Sequence, residues 1–320
     1  MPSRGSHHRA RFERFVIYLD EAAVRARLCW DELIDAMERA LAEFSRGAVI
    51  QPMRNVITIE ERRRYLGIMP AVLGDVMGLK FVTFYPINAG SGLPTHNATI
   101  VLYRTDTGQP LAAMDGRLIT EMRTAAVSAA VTKYLAPPES RILALLGSGV
   151  QAQSHLQALS RVRKFSRVRV WSRTAAHAER FAREHGAEAV HSAQEAVRGA
   201  DVVVTATAAH DPILQGAWLK PGAHVNAVGS SRPDWRELDD EAMANAVVVD
   251  SREAAAREAG DVIMAGAAIY AEIGEIFAGI KPPTPAVTTV FKSVGLAVED
   301  VAAAKLVFEA RDRYERCTGI

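Results

Sequence analysis

The stretch Leu145-Leu146-Gly147-Ser148-Gly149-Val150-Gln151-Ala152 constrains this chain more than any other. Before it, Arg141 to Leu146 is an apolar run that reads as a buried strand. After it, Gln151 to Leu159 has helical spacing. A strand, a glycine turn and a helix in that order form the G-x-G-x-x-A pattern of a dinucleotide site. Gly147 permits the tight turn, Gly149 lets backbone approach a pyrophosphate, and Ala152 is small enough for the helix to pack on the sheet. The helix N-terminus then offers unpaired N–H groups and positive dipole to the phosphates. Gly147, Ser148, Gly149, Val150 and Gln151 are therefore expected at a cofactor. Strand-like runs at 168–171, 189–191, 201–205, 224–228 and 246–250 alternate with helical segments such as 175–185, the rhythm of a parallel sheet covered on both faces.

The end of the second of these strands discriminates between coenzymes. NAD enzymes tend to place Asp or Glu there to accept from the ribose 2′-hydroxyl. This chain has Trp171-Ser172-Arg173-Thr174. A guanidinium between two hydroxyls suits a 2′-phosphate through charge-assisted, bidentate bonding. NADPH is the expected coenzyme, with NADH possible, and Ser172, Arg173 and Thr174 are expected to touch it.

The region before the glycine turn has a different texture. Residues 15–19 read as a short strand, and Leu33, Ile34, Met37, Leu41 and Phe44 recur at helical spacing before Gly47. Extended stretches follow at 56–59, 65–69 and 79–85. A hairpin comes next, 99–103 and 110–114 around Thr105-Asp106-Thr107-Gly108. Residues 120–135 read as an Ala-rich helix ended by Pro137-Pro138, and Glu299 to Glu315 as a last amphipathic helix. At 320 residues the chain exceeds what one core usually serves. Its 38 Lys and Arg against 37 Asp and Glu give no field for a nucleic-acid backbone or an anionic membrane. No apolar run nears the roughly 18 residues of a membrane span, since Val262 to Ala271 is broken by Gly266. The basic start, Met1 to Arg14, precedes an apolar stretch too short for a secretory signal, so a cytosolic location is expected. Cys29 and Cys317 are too few for a disulfide framework or a Cys-rich zinc site, and His7-His8 lies in a terminus where no metal site is expected.

Many ordered segments together resemble the ornithine cyclodeaminase/μ-crystallin family over nearly the whole chain. They are Gln51-Pro52-Met53-Arg54, residues 80–85, Met114-Asp115-Gly116, Arg123-Thr124-Ala125-Ala126, the glycine turn, the long segment 226–238, and Phe291-Lys292-Ser293. The resemblance implies an α/β protein: a Rossmann dinucleotide-binding domain (125–298) beside a discontinuous α+β substrate and dimerisation domain (1–124 with 299–320). It implies a homodimer and an active site in the cleft between the domains. It also implies a substrate-carboxylate clamp of Arg54, Lys80 and Arg123, with Lys80 catalytic and Glu258 in the pocket. Thr95, His96, Arg123, Thr124, Thr207, Val228, Ser230 and Ser293 are expected near the coenzyme, Arg123-Thr124 being taken as the start of a helix.

The family's ornithine cyclodeaminases carry an aspartate where this chain has Ser231, and a glutamate near its Gly67 or Ile68. Deaminating ornithine needs groups that take protons from amines. Reducing a preformed cyclic imine asks mainly for a held carboxylate and an aligned hydride donor. The expected activity is NAD(P)H-dependent reduction of Δ1-pyrroline-2-carboxylate or Δ1-piperideine-2-carboxylate to proline or pipecolate. Ornithine cyclodeamination, and NADPH-dependent binding of a small molecule such as a thyroid hormone without turnover, stay open as alternatives.

Overall fold

A computed structural model describes residues 16–310 of the chain, apart from residues 62, 89, 285 and 286. The basic start with His7-His8, Pro285, Cys317 and the end of the last helix lie outside the described residues.

The first half builds a seven-stranded sheet from β1 (Ile17–Leu19), β2 (Val49–Ile50), β3 (Asn55–Glu60), β4 (Arg64–Leu73), β5 (Val76–Phe84), β6 (His96–Arg104) and β7 (Pro110–Asp115). Its order is β1-β7-β6-β5-β4-β2, with β3 also on β4; all pairs are antiparallel except β1 with β7. Along β4, Tyr65, Gly67, Met69 and Ala71 are buried while their neighbours are half-buried, the period-2 alternation of a sheet covered on one face. Helices α1 (Glu21–Arg25), α2 (Trp30–Ser45) and α3 (Gly116–Leu135) accompany this sheet. Helix α3 starts a turn earlier than residue 120, because the Asp115 carboxylate caps the Leu118 N–H at 2.9 Å. It is unbroken from 116 to 135, so the domain boundary expected between 124 and 125 falls inside it, and Arg123-Thr124 is two turns from its start.

The second half alternates β8 (Ile142–Leu146), α4 (Val150–Val162), β9 (Arg167–Trp171), α5 (Ala175–His185), β10 (Glu188–Ala189), α6 (Ala193–Val197), β11 (Val202–Thr205), β12 (His224–Ala227), α7 (Asp240–Met243) and β13 (Ala246–Val249). Helices α8 (Arg252–Glu258) and α9 (Gly260–Ala265), β14 (Ile269–Glu272), α10 (Ile273–Phe277) and β15 (Thr289–Lys292) complete it. The sheet is wholly parallel, in the order β10-β9-β8-β11-β12-β15-β13-β14. Strand order reverses between β8 and β11, the switch point where ligands bind outside the carboxyl ends of such sheets. Strands β14 and β15 were not expected from the sequence; each is only four residues long.

The chain then returns. Helix α11 (Ala297–Glu309) packs on α2, α3 and the inner face of β4, β5 and β6. Every residue from Ala297 to Ala304 is buried, so over its first two turns this helix is enclosed on all sides and is not the amphipathic surface helix expected. Its Glu299 and Asp300 are therefore interior charges.

Polar contacts also tie α3 to the second half. On α4, His155 shares its Nε2 with the Ser128 hydroxyl at 3.0 Å. On β12, His224 shares one nitrogen with Thr289 at 2.9 Å and the other with Asn226 at 3.3 Å, and Asn226 donates to Thr132 of α3 at 3.1 Å. Burial holds both rings neutral, pushing His155 down to about 4 and His224 down to about 3. The unfolded chain protonates both near pH 6.5, whereas the native state does not, so stability is present above that value and falls as pH drops towards the folded values. Urea unfolding at about pH 7.5 and about pH 5.5 should show a loss of about 1.4 kcal/mol from each histidine, a slope that replacing either one by Asn reduces.

Candidate functional site

The nucleotide side of the site starts at Gly147, whose φ of 117° lies in the left-handed region. A Cβ there would stand 2.5 Å from the Ala206 carbonyl oxygen, so only glycine lets the turn after β8 cross the end of β11. The Gly147 N–H donates to the Trp171 carbonyl at 2.9 Å, which ties the turn to the end of β9. There Ser172 is half-buried, and Arg173 and Thr174 are exposed at the entrance of α5. Gly149 and Val150 open α4 on the surface with free space at the Gly149 Cβ position. The Gln151 side-chain oxygen is buried and has no hydrogen-bond partner among the described residues. Open backbone at a helix start and an orphaned polar atom beside it fit a dinucleotide, whose phosphates Ser148, Gly149 and Val150 would hold.

The other carboxyl-end loops are tied by buried carboxylates. Glu237 accepts from the hydroxyls of Thr205 (2.7 Å) and Thr207 (2.6 Å) and from the N–H groups of Thr207 (2.7 Å) and Gly229 (2.9 Å). Asp261 accepts from the N–H groups of Glu237 and Leu238 at 2.7 and 2.9 Å, and pairs with the buried Lys292 ammonium at 2.8 Å. Lys292 in turn donates to the Ser230 carbonyl. Asp250 accepts from the Ser293 hydroxyl and from the N–H groups of Val294 and Gly295. The hydroxyls of Thr207, Ser230 and Ser293 are thus engaged internally, Ser230 donating to the Trp235 carbonyl at 2.7 Å. Val228, half-buried, donates its N–H to the Thr205 carbonyl at 3.0 Å and leaves backbone at the cleft.

The first sheet contributes the facing wall. Lys80, Val82 and Phe84 of β5 share its inner face with Tyr65, Gly67 and Met69 of β4 and with His96, Ala98 and Ile100 of β6. His96 stacks on Phe84 at 4.5 Å, and Thr95 meets its Nδ1 at 3.1 Å. Partial desolvation, with the Lys80 charge behind it, holds the His96 imidazole toward its neutral form.

Lys80 lies deep on this face and is buried. Its ammonium is 2.6 Å from the Asp300 carboxylate, which also accepts from Arg123 Nε at 3.0 Å. Arg123 Nη1 reaches Glu299 at 2.5 Å. Gly295 is the close-approach point beneath Arg123: its φ is 78° and a Cβ would lie 2.6 Å from Nη1. Arg54, in the loop between β2 and β3, donates to the Val294 carbonyl at 2.8 Å and the Gly295 carbonyl at 2.5 Å, and pairs with Glu258 of α8 at 3.0 Å. Arg54, Lys80 and Arg123 therefore converge around residues 295–300, and Glu258 joins them. Desolvation pushes the Lys80 ammonium down to about 8 against the attraction of Asp300, and pushes the Glu258 carboxyl up against that of Arg54.

One expectation is corrected. Arg123 is not at a helix start; its guanidinium is held by Glu299 and Asp300. The Thr124 hydroxyl donates to the Thr120 carbonyl of its own helix. The sequence reading missed Glu299, Asp300, Glu237, Asp250 and Asp261. The only available signals were the charged Lys292 in an apolar run and adjacent acids opening an Ala- and Val-rich helix.

A model of the Ornithine cyclodeaminase/mu-crystallin family matches residues 16–314. The chain belongs to this family. It is 51% identical over 286 residues to the ketimine reductase mu-crystallin of Rattus norvegicus, covering 87% of this chain and 91% of that one. Its fold superposes with a TM-score of 0.89 on Thermococcus litoralis Δ1-pyrroline-2-carboxylate reductase, solved with NADH and L-proline. That match is 36% identical and covers 95% of this chain and all of that one. An archaeal alanine dehydrogenase dimer with bound NAD superposes with a TM-score of 0.87 at 34% identity, over 93% and 96% of the two chains. The α/β architecture with its dinucleotide-binding sheet is the one expected.

Replacing Asp300 by Ala should leave the buried Lys80 cation without its carboxylate partner and Arg123 with Glu299 alone. Urea unfolding should then show a loss of about 3–5 kcal/mol.

Proposed function

We propose that this protein reduces cyclic ketimines of the Δ1-pyrroline-2-carboxylate and Δ1-piperideine-2-carboxylate type to proline and pipecolate with a reduced nicotinamide coenzyme. The observation that carries the reading is the convergence of Arg54, Lys80 and Arg123 on one buried spot of the cleft wall. It is supported by likeness to a ketimine reductase and to a pyrroline-2-carboxylate reductase solved with NADH and L-proline.

In this reading the two guanidiniums orient the substrate carboxylate by paired N–H donors, and Lys80 adds a compact charge. A lysine held near 8 is mostly charged at neutral pH yet releases its proton readily, which suits a group that keeps an imine nitrogen protonated. When bound, the reduced coenzyme supplies the hydride that reaches C2 of the C=N bond. Orientation by the clamp is the chain's main contribution, worth up to about 7–11 kcal/mol where alignment is good. Thr95 and His96 flank the outer end of the same wall.

Arg173, between Ser172 and Thr174, favours NADPH over NADH. The first sheet with α11 is read as the substrate and dimerisation unit, and the second sheet as the nucleotide unit. The partner is a second copy: the outer face of the first sheet presents Tyr18, Ile57 and Phe81, each at least 42% exposed, apolar side chains of the kind that a subunit covers. Among the described residues no helix is long and apolar enough to cross a membrane. The reading keeps a cytosolic location.

A panel of five- and six-membered cyclic imines with NADPH and NADH tests the activity, and absence of turnover on every member overturns it. Lys80→Met should lower kcat/KM for the imine about 100-fold or more while NADPH affinity stays near wild type. Arg173→Asp should weaken NADPH about tenfold or more and NADH far less, read by coenzyme titration.

A further inference from the structure

The cations of the clamp are already matched by acids. Arg54 faces Glu258, Lys80 faces Asp300, and Arg123 faces both Asp300 and Glu299. With all of these groups ionised, the cluster has no surplus positive charge of its own to receive a substrate carboxylate, which would then be balanced only by the substrate's iminium nitrogen. A neutral acid in the cluster would leave the clamp one surplus positive charge for that carboxylate.

Glu299 is the member whose surroundings fit that role. Its side chain is wholly buried, and while Oε2 accepts from Arg123, Oε1 is buried with no hydrogen-bond partner among the described residues. A charged carboxylate tolerates an orphaned oxygen far less well than a neutral carboxyl does. The charged groups facing it are Arg123 from α3, Asp300 next along α11, and Asp250 at the end of β13. Lys80 of β5 and Arg54 of the β2–β3 loop lie one contact further off. Asp300 is less suited, since its two oxygens serve two different cations. Glu258 is 16% exposed, and its carboxylate is taken up by Arg54 at 3.0 Å.

We propose that Glu299 takes up the proton that accompanies the substrate carboxylate into the clamp, acting as a positioning residue whose neutral form admits the anion. The inference rests on the reductase reading above. Burial, reinforced by Asp250 and Asp300 and opposed by Arg123, pushes the Glu299 carboxyl up to about 7, so its charge changes in the working pH range. Below that value the clamp carries a net positive charge. Above it, ionised Glu299 opposes the substrate carboxylate, and apparent affinity should fall about tenfold per pH unit.

The test is calorimetry of the coenzyme-saturated protein with pyrrole-2-carboxylate, a planar ring acid chosen so that the ligand itself does not titrate. It is run in two buffers of different ionisation enthalpy from about pH 6 to about pH 8. Proton uptake on binding should reach about 0.8 per site near pH 7.5 and fall to about 0.1 near pH 6. Glu299→Gln, which keeps an acceptor for Arg123, should cut the uptake by more than half and bind the acid about tenfold or more tightly than wild type near pH 8. Tight binding without proton uptake overturns the proposal alone. Uptake unchanged in Glu299→Gln assigns the proton to another group, such as Lys80, and also overturns it. No binding at any pH overturns this proposal and the reductase reading together. Should the variant not fold, wild-type uptake between about pH 6.5 and 7, where Lys80 is still almost wholly protonated, decides by its presence or absence.

Discussion

The Asp300 carboxylate, buried between the Lys80 ammonium and the Arg123 guanidinium, is the interaction on which the cleft wall depends. Each of these charges loses several kcal/mol of hydration in the interior, and their mutual attraction offsets that only when all are in place. A buried ion network of this kind is weak evidence of extra stability, but it restricts geometry strongly. It joins α11 to β5 and α3, so the last helix, the first sheet and the long helix between the halves can be assembled in one register only. The Gly295 turn beneath Arg123 carries the constraint into the second half, because Arg54 donates to its carbonyl and Asp250 accepts its N–H.

The parallel sheet reaches the same end by a different route. Its carboxyl-end loops run through the interior beside the cleft, where backbone N–H groups need partners that water does not supply. Glu237, Asp261 and Asp250 provide them, each gathering several donors from adjacent loops. These acids explain how irregular backbone at 205–207, 228–230 and 293–295 is held rigidly at the switch point. They also explain why the nearby hydroxyls are turned to internal use.

Legibility followed the range of the determining interactions. The strand, glycine turn and helix at 142–162 form a local unit whose residues state their roles within a dozen positions, and the sequence reading placed them correctly. The paired hairpin at β6 and β7 was legible for the same reason. Helix α11 was not: alternation of apolar and charged residues normally marks a surface helix, and only the distant Lys80 and Arg123 make its two acids interior. The residues alone suggest a start for α3 one turn late, because Gly116 is a weak helix former and the Asp115 cap that begins the helix looks like the end of a strand. Arg54, Lys80 and Arg123 stand far apart in sequence, and the residues alone do not connect them; the family resemblance did.

The acids around the clamp bear on which reaction this cleft can serve. Taking a proton from a substrate amine needs a carboxylate that is free to accept one. Here Glu258 and Asp300 are each bonded to a cation, the proton proposed for Glu299 enters with the substrate carboxylate and not from an amine, and at the two positions where the resemblance places the cyclodeaminases' acids this chain has exposed Ser231 and, at Gly67 or Ile68, no acid. The cleft is thus rich in groups that hold an acid in place and poor in bases that would activate an amine. Such an inventory matches a substrate that arrives with its C=N bond already formed, for which alignment against a hydride donor is most of the work.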